Sequence, residues 1–127
     1  MHLGYIIVYV PNVADAVAFY QNTFALDVRM ISPEGDYAEL QTGQTTLAFA
    51  SEALSKSNGL ELRFNRPATP PAAIELAFVT EEVSKVVADA ISHGATLLAP
   101  PQEKPWGQTV AYLHDIHGVV LEICTPI

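Results

Sequence analysis

The feature that most constrains this chain is that it repeats itself. Shifting the first half by seventy positions lays Tyr5–Val10 on Glu75–Thr80, Val13 on Val83 and Val17 on Val87. Apolar positions that coincide on this scale indicate a duplicated supersecondary unit. Gly4 to Val10, GYIIVYV, is rich in β-branched and aromatic residues and reads as a strand. The segment PNVADAVAFYQNTFAL follows, with Val13, Ala16, Val17 and Tyr20 at helical spacing. Asn12 is placed to cap that helix by accepting a backbone N–H, and Asp15 lies in the first turn, where the helix dipole favours an acid. Three more strands are expected at Asp27–Ser32, Tyr37–Gln41 and Thr45–Ser51, separated by the turn residues PEGD and TGQ.

The second half has the same order. Ala73 to Thr80 reads as a strand, and EEVSKVVADAISHG carries Val83, Val86, Val87 and Ala90 on one stripe, with Gly94 as its C-cap. Strands are then expected at Thr96–Ala99, Gln108–His114 and Val119–Thr125, with APPQEKPWG between the first two and DIHG as the last hairpin turn. The pattern predicts one α+β domain over residues 1–127: module one at 1–51, a linking loop at 52–72 and module two at 73–127, each module β-α-β-β-β. The loop holds Asn58, Gly59, Pro67, Pro70 and Pro71 without a sustained period and is long enough to cover something.

Composition excludes several classes of function. Six Lys plus Arg against fourteen Asp plus Glu give a formal charge of −8, which opposes the phosphate neutralisation on which nucleic-acid binding depends. Apolar runs are interrupted well before the roughly 20 residues needed to span a bilayer, and Met1 to Val10 lacks the basic start of a secretory leader, so a soluble cytoplasmic protein is expected. There is no glycine-rich phosphate loop and no strand-turn-helix serine elbow. The single cysteine, Cys124, can form no internal disulfide and reads as a small packed side chain, which leaves no Cys/His nucleophile pair.

The strands place the remaining candidates. One face of each strand must pack under the helix of its own module. Ile6, Val8 and Val10 suit that side in the first strand, leaving Tyr5, Ile7 and Tyr9 opposite; in the fifth, Leu76 and Phe78 leave Glu75, Ala77 and Val79. The last strand sends Leu121 and Ile123 to the helix and Glu122 the other way. Near the module ends Ala48 takes the place equivalent to Glu122, so Tyr5, Ala48, Glu75 and Glu122 are pseudo-equivalent positions on a second, concave face. Two are acids on otherwise apolar strands, and an unpaired buried carboxylate costs several kcal/mol unless it is protonated, paired or bound to a cation.

The segments GYIIVYVPNVADAVAFYQNTFAL, ELQTGQTTLAF and KPWGQTVAYLHDIHGVVLEI together resemble the vicinal oxygen chelate superfamily, the glyoxalase and bleomycin-resistance group, over essentially the whole chain. The resemblance implies two tandem β-α-β-β-β modules forming a curved mixed sheet around a cleft. It also implies a divalent metal (Mg, Mn, Ni or Zn) held by His, Gln or Glu on the first and last strands of each module, and a homodimer. Glu122 matches the family glutamate on the last strand, and Glu75 occupies another ligand place. Tyr5 stands where many members have His, Ala48 offers no donor, and His117 replaces an acidic residue of the usual turn.

Three roles are open for Glu75 and Glu122. They could form a pair held by hydrogen bonds, by Arg63 or Lys104, or by one member staying protonated. They could be metal ligands, their oxygens suiting magnesium or manganese better than zinc or nickel, or they could act directly as acid and base. Around them Tyr5, Tyr9, Trp106, Tyr112 and His114 are candidate substrate contacts, and Arg63, with Asn65 and Arg66, could meet an anionic ligand from the loop. His93 suits a helix C-terminus and His2 a loose end. The resemblance implies a small-molecule protein: a metal-assisted lyase or isomerase acting on a carbonyl or enediolate with Glu75 and Glu122 as catalytic groups, or a metal-free drug-sequestering protein of the bleomycin-resistance type.

Overall fold

A computed structural model describes residues 1–127, which form two compact units, Met1–Phe64 and Asn65–Ile127. In the first unit β1 (Tyr5–Val10) leads into α1 (Val13–Phe24), followed by β2 (Val28–Ile31), β3 (Tyr37–Leu40), β4 (Thr46–Ser51) and α2 (Glu52–Ser57). Its sheet has the order β1-β4-β3-β2, with β1 parallel to β4 and the other pairings antiparallel. The second unit contains β5 (Glu75–Val79), α3 (Val83–Ser92), β6 (Thr96–Glu103), β7 (Thr109–His114) and β8 (Val120–Cys124) in the order β5-β8-β7-β6. Its parallel pair is β5 with β8. Two four-stranded mixed sheets of identical connectivity are what a duplicated β-α-β-β-β unit produces.

Local chemistry sets the helix ends. Asn12 Oδ1 accepts from Asp15 N–H at 2.9 Å, and Ala25, with φ at 53°, ends α1 in the left-handed conformation while its N–H reaches Gln21 O. The buried stripe of α1 (Val13, Ala16, Val17, Phe19, Tyr20) packs on β3 and β4, where Tyr20 lies against Phe49 with ring centroids 4.8 Å apart. In the second unit Val83, Val87 and Ala90 cover Leu113, Leu121 and Ile123 on the sheet, all fully buried. Each such aliphatic side chain contributes about 1.5–3 kcal/mol by leaving water, an upper figure for a chain already partly collapsed when unfolded.

Two stretches depart from the sequence reading. The linking segment at 52–72 opens with α2, whose N-cap Ser51 accepts from Leu54 N–H at 3.1 Å, with Glu52 in its first turn and Lys56 in its last. Six residues are too few for a helical period to be visible, so only the cap and charges mark it. Strand β6 runs on past Ala99 to Glu103 through Pro100 and Pro101. It is an edge strand with irregular register against β7, and there a missing N–H leaves no partner unsatisfied.

Candidate functional site

In the second unit the face away from α3 gathers a small polar cluster on apolar strands. Glu122 pairs in register with Ala77 on one side and Tyr112 on the other, and Glu75 lies two residues from Ala77 on the same face of β5. The Glu75 and Glu122 carboxyl groups lie within hydrogen-bonding reach of each other. That contact pushes the Glu75 carboxyl above the ordinary glutamate value, helped by partial burial and by the charge of Glu122. Two carboxylates in contact oppose each other's ionisation, so Glu75 keeps its proton to higher pH than an isolated glutamate would.

Cys124 follows on the same face of β8. It is 3% exposed, as a packed side chain would be, but its thiol also meets Glu122: burial, a hydrogen bond to Glu122 and the two nearby acids raise it and keep it protonated. The Tyr112 phenol is likewise pushed up by burial first and then by the charges of Glu122 and Glu75. No Lys, Arg or His of the second unit forms an ion pair with Glu75 or Glu122, so Lys104 does not neutralise them. The cluster therefore sets two acids, with no cationic side chain of this unit paired to them, beside a thiol and a phenol.

The other candidate contacts are distributed over both units. His114 shares the parity of Tyr112 but is buried near the β7–β8 turn, its Nδ1 at 2.9 Å from Asp115 O. Trp106 is 62% exposed in the β6–β7 turn, where its indole N–H donates to Gln108 Oε1 at 2.7 Å. Tyr5 and Tyr9 belong to the first unit, on the helix-free face of β1. Arg63 lines an open depression with Lys56, Leu60, Leu62 and Phe64 at the end of that unit.

The first unit carries a second polar cluster that the sequence reading passed over. Glu39 on β3 pairs with Ala48, so it stands where β7 of the second unit has Tyr112. Its Oε2 accepts from the Tyr37 hydroxyl at 2.8 Å, and its Oε1 lies 3.8 Å from Arg29 Nε. Burial, the Glu39 bond and charge, and the nearby Tyr5 phenol push Tyr37 up to about 12. Alternation from Val28, which pairs with Leu40 on the helix side, puts Arg29 on this face, and a one-residue slip of β2 against β3 between Val28 and Met30 leaves Arg29 and Met30 together opposite Glu39. The signal available for Glu39 was the same as for Glu122, an acid between apolar neighbours, here Ala38 and Leu40.

The donor chemistry bears on the metal expected at Glu75 and Glu122. No group of three or more His, Cys, Asp or Glu side chains is arranged to hold an ion. Glu75 and Glu122 supply carboxylate oxygens alone, with no imidazole or second acid pair grouped beside them, so water or substrate oxygens would have to complete any coordination shell. By themselves these two residues are an incomplete ligand set.

Comparison with known proteins agrees with this architecture. The profile of the Glyoxalase-like domain family matches residues 3–127. Among solved structures, a glyoxalase-related enzyme from Fulvimarina pelagi superposes with a TM-score of 0.85 at 20% identity, over 99% of this chain and 88% of its own. A glyoxalase/bleomycin resistance protein/dioxygenase family enzyme from Burkholderia phytofirmans PsJN gives 0.82 at 24%, over the full length of both chains. A glyoxalase/bleomycin resistance protein/dioxygenase from Nocardioides gives 0.77 at 16%, over 98% of this chain and 83% of its own. The curated proteins contain no match.

Proposed function

Because the chain belongs to the Glyoxalase-like domain family, within the vicinal oxygen chelate superfamily, we propose that it is a small-molecule-binding protein that works without a resident metal, its ligand a cation with an apolar body. One observation carries this reading. Glu75 and Glu122, with no cationic side chain of this unit paired to them, lie beside the Tyr112 ring, on a face whose other residues, Ala77 and Val79, are exposed and apolar. An ammonium group set against the carboxylates releases the Glu75 proton and replaces it with a full ion pair, while an aromatic wall adds a cation–π contact of roughly 0.5–2 kcal/mol.

The test is calorimetric titration with benzyltrimethylammonium. Binding should strengthen as pH rises through the raised Glu75 value and should fall at least tenfold in Glu122→Gln, the effect of losing about 1.4 kcal/mol. No binding at millimolar probe, or equal binding to the Glu75→Gln, Glu122→Gln double variant, sinks the reading. So does a stoichiometric Mn, Ni or Zn ion retained through purification and lost with Glu122.

The raised Glu75 carboxyl favours one second reading, in which the pair performs proton transfer next to a substrate carbonyl. Protonated Glu75 would stabilise the enolate oxygen and Glu122 would take the carbon-bound proton. Deuterium wash-in next to the carbonyl of an α-hydroxy ketone, abolished by Glu122→Gln, would establish it. Absence of exchange above the solvent rate would remove it. A homodimer is carried over from the family resemblance alone, and a monomer in sedimentation at micromolar concentration would overturn it.

A further inference from the structure

We propose that Arg29 forms an anion subsite on the helix-free face of the first unit, taking the carboxylate of a small molecule whose apolar body lies along Tyr5, Ile7 and Met30. Of the six cationic side chains, Lys56 and Lys85 project from α2 and α3, and Arg63, Arg66 and Lys104 lie in connecting segments. Arg29 alone is seated on a strand, and the β2 bulge sets Met30 beside it on the helix-free face.

From β2 the side chain crosses β3 and reaches β4, where Nη1 donates to Thr46 Oγ1 at 2.9 Å. That span is roughly two strand spacings, about 9–10 Å. Nε meanwhile faces Glu39 Oε1 at 3.8 Å, an ion-pair distance too long for a hydrogen bond. A guanidinium carries five N–H donors, and only one is used here. The remaining Nη donors form the fork that matches a carboxylate in bidentate fashion.

Two further points separate this from an ordinary surface pair. Holding a long side chain flat costs about 1.5–2 kcal/mol of rotamer entropy, whereas an exposed ion pair contributes about 0–1 kcal/mol, so stability alone is a weak reason for the arrangement. The acid is also committed and sunk beneath the cation: the Glu39 side chain is 13% exposed, with Tyr37 on one oxygen and Arg29 beside the other, while Arg29 is 49% exposed. An approaching anion meets the fork before it meets Glu39. Tyr5, Ile7 and Met30 share the face and are exposed, giving an apolar floor next to the charge.

This inference rests on the reading that these faces hold small molecules, and the experiment separates the two. The full chain is titrated with 4-phenylbutyrate and with its neutral amide, following backbone and arginine Nε–Hε resonances. The acid should bind at least about fivefold more tightly than the amide and should shift the Arg29 Nε–Hε signal, as a partly exposed charge-assisted pair requires. Arg29→Gln should bring the ratio to about one. Arg29→Lys, which keeps the charge and loses the fork, should lose most of the preference, and Lys85→Gln, on the surface of α3, should leave it intact. Equal binding of acid and amide by the unaltered chain overturns the subsite while leaving small-molecule binding in place. A preference that survives Arg29→Gln, or no saturable binding of either probe, overturns it as well.

Discussion

Replacing Glu75 by Gln should make the protein more stable at pH 8, and by an amount that depends on pH. Below the ordinary glutamate value Glu75 is protonated whether folded or not, so the carboxyl–carboxyl contact with Glu122 is fully present. Because the folded value is raised, the native state holds that proton more tightly than the unfolded chain does, and stability falls as pH rises through the raised value. Above it the two charges face each other. At hydrogen-bonding range, repulsion between full charges lies between about 1 kcal/mol in water and about 4 kcal/mol at an effective dielectric of 20. Glu75 is exposed, so solvent screening places it near the lower limit.

The amide introduced by Glu75→Gln can donate to Glu122 at every pH, which mimics protonated Glu75 permanently. Differential scanning calorimetry should therefore show Glu75→Gln melting roughly 3–5 °C above the unaltered chain at pH 8, the shift that about 1 kcal/mol produces at this length. The two curves should converge by roughly pH 4, where the native carboxyl is protonated too. An offset of the same size at pH 4 and pH 8, or a variant less stable at pH 8, would mean that the side chains do not oppose each other's ionisation.

Cys124 should react slowly with thiol reagents at pH 8 in the native state and faster in Glu122→Gln, because removing the adjacent carboxylate lowers the thiol value; equal rates would show that the thiol and the acid are not in contact. Gly118→Ala should cost about 2–4 kcal/mol and roughly 10 °C of melting temperature, since Gly118 has φ at 90° and a Cβ there would lie 2.7 Å from Arg66 C and O; a shift under about 2 °C on thermal unfolding would contradict the geometry. The Tyr37 phenol should ionise only near pH 12, so Tyr37→Phe should remove a step near that pH from the ultraviolet titration; its stabilising effect is present below the ordinary tyrosine value and lost as pH rises through about 12.

The repeat and its strand parity were legible because each depends on a period that survives in the sequence. Leu121 and Ile123 could only face the helix if Glu122 faced away, and both are fully buried. The convergence of Glu75 and Glu122 on one face was legible for the same reason, with one retained proton among the outcomes two facing acids permit. Arg29 was not, because a bulge breaks the period-2 rule at the residue where it acts: by simple alternation from Val28 and Ile31 its direction is ambiguous. Glu39 carried the right pattern, but without Arg29 beside it an acid on a four-residue strand had nothing to mark it. The incomplete ligand set was visible at Tyr5 and Ala48. What the residues could not give was that Glu75 and Glu122 come within hydrogen-bonding reach, because that depends on a diagonal offset between parallel strands fixed only by register.

In each unit the opening strand pairs with the closing one, β1 with β4 and β5 with β8. A ribosome making this protein therefore completes the first sheet once Ser51 has cleared the exit tunnel, a point at which the strands of the second sheet are still emerging. The N-terminal half then holds all four strands of its own sheet. Pairing can thus proceed one unit at a time, which shortens the interval in which eight unpaired strands coexist.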